Sequence, residues 1–108
     1  MHPTTAALTA LFNRIPRRHS LENLQEINEI INEYEKLLLS IEAVNSFYEK
    51  ATPAFFDELE TVQSTLKKSK DNKASKKTKD SFFDEASGTL KETIQELISV
   101  YADGNRTL

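Results

Sequence analysis

Apolar residues recur along this chain at intervals of three and four, the spacing that puts side chains on one face of an α-helix. Near the start, Ala7, Leu8, Leu11, Phe12 and Ile15 follow it; Thr4 or Thr5 offers a helix cap, and Pro16 ends the run. From Ser20, an N-cap candidate, to Ala51 there is neither Gly nor Pro. Within that span Leu24, Ile27, Ile31, Tyr34, Leu38, Ile41, Asn45 and Tyr48 form one seam. A second stripe of Ile30, Leu37, Val44 and Phe47 widens the apolar face, which predicts packing against more than one helix. Thr52 and Pro53 read as the next boundary, with Thr capping and Pro in the first turn. A third helix is then expected from Pro53 to Lys68, on the seam Phe55, Leu59, Val62 and Leu66 with Phe56 beside it.

The last helix is expected to begin at Asp80 or Ser81. Its seam is Phe83, Ala86 or Ser87, Leu90, Ile94, Leu97 and Tyr101, flanked by Ile98. Gly88 predicts a kink or break, because Gly costs ~1 kcal/mol relative to Ala inside a helix, and Thr89 with Glu92 could cap a fresh start. Asp103 and Gly104 look like the stop.

These elements predict an all-α fold: an elongated antiparallel helical bundle or hairpin of three long helices plus a short N-terminal one. An uninterrupted second helix of roughly 30 residues would be ~45 Å long, more than the diameter of a compact sphere of this chain length. That mismatch, with Asn45 in a seam slot where a lone Asn often sets register or oligomer number, predicts a dimer.

Composition narrows the chemistry. A chain of 108 residues is expected to form a single domain over 1–108, and its 38% apolar content lies above that of disordered chains. The absence of Cys removes disulfides, thiolate metal sites and thiol nucleophiles. The only glycines, Gly88 and Gly104, form no Gly-rich phosphate loop. His2 and His19 are the only histidines and belong to no metal-binding helical pattern. Carboxylate pairs such as Glu29 with Glu33, or Asp57 with Glu58, lack the unequal burial that would separate acid from base. The expectation is therefore a non-enzymatic protein without catalytic, metal or cofactor-binding residues.

Charge is unevenly placed. Residues 67–79 carry Lys67, Lys68, Lys70, Lys73, Lys76, Lys77 and Lys79 against Asp71 alone, a +6 segment in a chain whose net charge is −3. With Ala74 as its one apolar residue, it is expected to be a flexible loop or a frayed helix end. Glu22, Glu26, Glu29 and Glu33 form an acidic stripe read as a solvated face. Residues 1–19 hold no acid and combine the short amphipathic helix with Arg14, Arg17, Arg18 and His19. That composition suits a first bundle helix with a basic connector, or alternatively a mitochondrial presequence.

The function expected from this pattern is an α-helical protein–protein interaction module: an adaptor, inhibitor, immunity-type or small chaperone protein. It would be cytoplasmic, with a protein partner and self-association. The partner-binding residues are expected to be Tyr34, Leu38, Ile41, Asn45, Phe47 and Tyr48, because the seam exceeds what one neighbouring helix needs and aromatics anchor interfaces. The competing reading is nucleic-acid or anionic-membrane binding through the seven lysines. Against nucleic acid, the segment has no Arg for bidentate contacts and no aromatic for base stacking.

Overall fold

The computed structural model describes residues 3–16, 20–44, 46–70 and 73–107, with Pro3 and 101–107 described as backbone alone. Four helices make up the fold, and there is no strand among the described residues: α1 (Pro3–Arg14), α2 (Leu21–Glu42), α3 (Ser46–Ser69) and α4 (Lys76–Thr107). The molecule measures 49 × 23 × 17 Å.

The seams form the core. Leu24, Ile27, Ile31, Tyr34, Leu38 and Ile41 of α2, Phe55, Leu59, Val62 and Leu66 of α3, and Phe83, Leu90, Ile94 and Leu97 of α4 are all buried. Leu8, Leu11 and Ile15 close the core from the α1 side. The most extensive packing is α3 on α4, followed by α2 on α3, while α1 lies against α4 and α2. Ile30 of the second stripe is also fully buried, Leu37 is half-buried, and Val44 and Phe47 remain exposed.

Ser20 caps α2 as its sequence context predicts. Its extended backbone (φ −160°, ψ 165°) lets the side-chain oxygen accept from the Asn23 N–H at 3.0 Å.

Several expected boundaries are corrected. The second helix does not run to Ala51: α2 stops at Glu42, the chain turns at Ala43 and Val44, and α3 begins at Ser46, with Val44 N–H donating to the Ile41 carbonyl at 3.1 Å. The break escaped the pattern because the three-four spacing continues across it from Ile41 to Tyr48, with both residues buried on either side of the turn. Thr52 and Pro53 lie inside α3. Pro53 is exposed, so the carbonyl left without its N–H donor can be met by water. Thr52 is fully buried, its hydroxyl 2.9 Å from the Tyr48 carbonyl and 3.2 Å from Glu42 Oε2, and donates its one proton to one of them.

At the lysine segment, helix replaces most of the expected loop. Lys67 and Lys68 form the last turn of α3, and Lys76, Lys77 and Lys79 lie in the opening turns of α4. Ser75 caps α4: its side-chain oxygen accepts the Thr78 N–H at 3.2 Å and its carbonyl accepts the Lys79 N–H at 3.0 Å. The helix continues through Gly88 and Gly104 without the expected break or early stop. Neither glycine has a positive φ, and Thr89 and Glu92 lie inside the helix.

Length arithmetic also changes. At 1.5 Å per residue α2 is ~33 Å long and α4 ~48 Å. The longest helix therefore fits along the 49 Å axis of the molecule. The mismatch expected for the second helix disappears, and with it that argument for a second chain. His2, Arg17, Arg18, His19, Asn45 and Asp71 lie outside the described residues, as does the side chain of Tyr101.

Candidate functional site

The expected partner-binding seam is absorbed by the fold. Tyr34, Leu38 and Tyr48 are 0% exposed and Ile41 is 1% exposed, so a partner docking on this conformation touches none of them directly. Phe47 is different: it is 44% exposed, and its ring meets Tyr48 edge-on at 5.1 Å between centroids. Adjacent residues on α3 thus differ in burial, Tyr48 filling the core and Phe47 lying at its edge with part of its ring exposed.

The large apolar side chains exposed among the described residues are Leu21, Leu39, Val44 and Phe47. Leu39, Val44 and Phe47 fall within nine residues around the α2–α3 turn. Sequence reasoning found Phe47 but missed Leu39 and Val44 as exposed groups. Val44 was hidden because its place in the second stripe continued past the true end of α2.

Tyr34 anchors the middle of the core. Its hydroxyl lies 3.4 Å from Thr93 Oγ1, a polar contact that joins α2 to α4. Burial, above all, pushes its phenol well above the ordinary range; the contact with Thr93 opposes this, while Glu58 and Glu96 reinforce it. Tyr34 is thus a neutral structural residue. Ser87 Oγ is buried without a hydrogen-bond partner, which adds a small polar cost to the same helix.

Part of the acidic stripe has a specific task. Arg14 at the end of α1 donates from Nε to Glu26 at 2.9 Å and from Nη1 to Glu33 at 2.6 Å. The two carboxylates, seven residues apart, lie on the same side of α2 and clamp the end of α1. Hydrogen bonds to Glu33 and then Glu26 raise the pKa of the guanidinium, favouring its charged form. Above this clamp, Ala7, Ala10 and Leu11 of α1 face Lys36, Leu37 and Ser40 of α2 across a cleft of about 520 Å³.

The lysines occupy the far end. Lys67, Lys68, Lys70, Lys73, Lys76 and Lys77 are exposed and Lys79 is half-buried. Lys68 Nζ lies 5.7 Å from the centroid of the Phe82 ring. Leu21, Leu24, Gln25 and Asn28 of α2 face Ser69, Lys70 and Lys79 across a cleft of about 400 Å³. The fold thus brings the lysine segment beside the start of α2, a neighbour that sequence spacing could not reveal.

No group of three or more acidic or histidine side chains is placed to hold a metal ion among the described residues, and none of their helices is long and apolar enough to cross a membrane. Comparison of the chain with protein families, characterised proteins and solved structures finds no match.

Proposed function

We propose that this chain is a non-enzymatic α-helical protein–protein interaction module, an elongated antiparallel bundle that self-associates through the corner between α2 and α3. The observation that carries the reading is the exposure of Leu39, Val44 and Phe47 around one turn, while the rest of the seam is spent on the chain's own core. Singly exposed apolar residues are ordinary; three around one turn form a candidate patch.

A second copy is the favoured occupant because the surrounding charges are mixed. Glu35, Lys36, Glu49 and Lys50 are exposed near the same turn, so two copies facing across a two-fold axis can set acid against base around an apolar centre. Such a dimer would use Phe47 as its aromatic anchor.

Sedimentation velocity over a wide concentration range tests this. The expected result is a concentration-dependent dimer that becomes monomeric in the Val44→Ser/Phe47→Ser double variant, with helical circular dichroism retained. A chain that is strictly monomeric at every concentration would overturn the self-association.

A further inference from the structure

The start of α2, the end of α3 and the start of α4 meet at one end of the bundle, and two independent features coincide there. The first is charge. Lys67, Lys68, Lys70, Lys76 and Lys77 are exposed and Lys79 is half-buried. Among the described residues, Glu22 lies on the first turn of α2, Asp80 follows the first turn of α4, and Asp57, Glu60 and Glu85 line a cleft with Lys68, so the positive charge is concentrated on the side of Lys67, Lys70, Lys76 and Lys77.

The second feature is apolar. Leu21 opens α2 and is 82% exposed, although Leu24 one turn later is buried at 8%. Leu21 borders the cleft that also contains Lys70 and Lys79. An apolar side chain held out among ammonium groups gains nothing from the bundle's own core.

We propose that this end of the bundle docks on an anionic lipid surface, with the lysines among the headgroups and Leu21 inserted at the acyl boundary. Lysine suits this role because its flexible stem can lie along apolar material while the ammonium stays with the headgroups. Interfacial binding scales with buried apolar area plus electrostatic attraction to anionic lipids, and Leu21 and the lysines supply one contribution each.

The same features disfavour nucleic acid. Residues 67–79 have no Arg to form bidentate contacts. The nearby Phe82 ring is half-buried and already carries Lys68 at 5.7 Å from its centroid, which hinders its use as a stacking platform. Leu21 has no apolar partner on a sugar–phosphate backbone.

Vesicle sedimentation with the full chain provides the test, using phosphatidylcholine vesicles with and without phosphatidylserine at low and high salt. Binding is expected only to the anionic vesicles and to weaken with salt. Each lysine near such a surface is worth roughly fivefold in affinity, so Lys67→Ala/Lys68→Ala/Lys76→Ala/Lys77→Ala should lose roughly several hundredfold. Leu21→Ser should lose roughly tenfold or more without changing the salt dependence. Because the chain contains no Trp, Leu21→Trp adds a single reporter whose emission should shift to the blue on anionic vesicles.

Three results would overturn the proposal: equal binding to neutral vesicles, absence of binding to anionic vesicles at low salt, or pelleting of Leu21→Trp with no spectral shift. Tighter binding to a single-stranded oligonucleotide than to anionic vesicles, unaffected by Leu21→Ser, would assign the lysines to nucleic acid instead.

Discussion

The half of the bundle that includes the α2–α3 turn and the half that carries the lysines are built differently. Where α1 is present, it lies on α2 and α4, Leu8 and Leu11 enter the core, and charges of both signs share the surface. Beyond Arg14 that helix has ended, and the lysine end is organised by α2, α3 and α4 around Leu24, Leu66 and Phe83. At 12 residues α1 is ~18 Å long, well short of the ~48 Å of α4. The difference teaches that one bundle separates its tasks: fuller helical cover accompanies an apolar corner, while the less covered half concentrates positive charge.

The sharpest way to break the comparison is at Tyr48, the buried neighbour of Phe47. Tyr48→Ala should cost about 3–5 kcal/mol, as deletion of a fully buried aromatic does, whereas Phe47→Ser, which removes a partly exposed ring and its edge-on contact, should cost about 1–2 kcal/mol. Urea unfolding of both variants measures the contrast. Equal losses would mean that the corner is core and not surface.

Alkaline pH probes the middle of the molecule, where Tyr34 joins α2 to α4. Burial raises the phenol pKa in the folded state, so the fold keeps the proton that the unfolded chain releases above its ordinary pKa of about 10. The contribution from this group is complete below that pH and is lost as pH rises, by up to ~1.4 kcal/mol per pH unit in the window between the unfolded and folded values. Tyr34→Phe should flatten that part of the stability profile, and denaturant titrations at neutral and strongly alkaline pH would show an unchanged slope if Tyr34 has no such role.

Gly88 tests the half toward the lysines. A Cβ added there meets nothing within 4 Å and the backbone is already helical. Gly88→Ala should therefore stabilise by roughly 0.5–1 kcal/mol, read as a higher melting temperature; destabilisation would show that the position needs glycine.

Arg14 marks the division between the halves. Its side chain is 38% exposed and solvent screens both carboxylate contacts, so Arg14→Ala should cost only about 0.5 kcal/mol at low salt and less at high salt. A large, salt-independent loss would point to packing of the arginine stem instead of the ion pairs.

Much of the fold was legible because burial follows period. Every apolar seam residue assigned to α3 is buried, as are Phe83, Leu90, Ile94 and Leu97 of α4. Boundaries were harder to read where the local signal and the tertiary demand disagreed. Pro53 is a strong breaker in isolation, yet α3 keeps it on an exposed face, and the real break between Glu42 and Ser46 contains no Gly or Pro. Gly88 is tolerated because Phe83, Leu90, Ile94 and Leu97 bury the helix on either side of it, outweighing ~1 kcal/mol of poor propensity.

The candidate surfaces were less legible. Tyr34 and Tyr48 had the right chemistry for anchors, but periodicity cannot distinguish a side chain facing its own bundle from one facing a partner. Leu21 drew no attention because a single apolar residue before a seam has no period. Its exposure became informative only when folding placed Lys70 and Lys79 beside it.

The contact of α1 with α4 bears on the order of assembly. The other principal contacts, α1 with α2, α2 with α3 and α3 with α4, join helices that follow one another in sequence and require only short loops to close. Bringing α1 to α4 spans the intervening two helices and draws on core surface that those neighbours have already shaped. The three longer helices can therefore serve as the early folding nucleus, with α1 arriving late and Arg14 latching it in place. The shortest helix would then be the first to detach under stress, uncovering apolar surface on α2 and α4 before the bundle as a whole gives way.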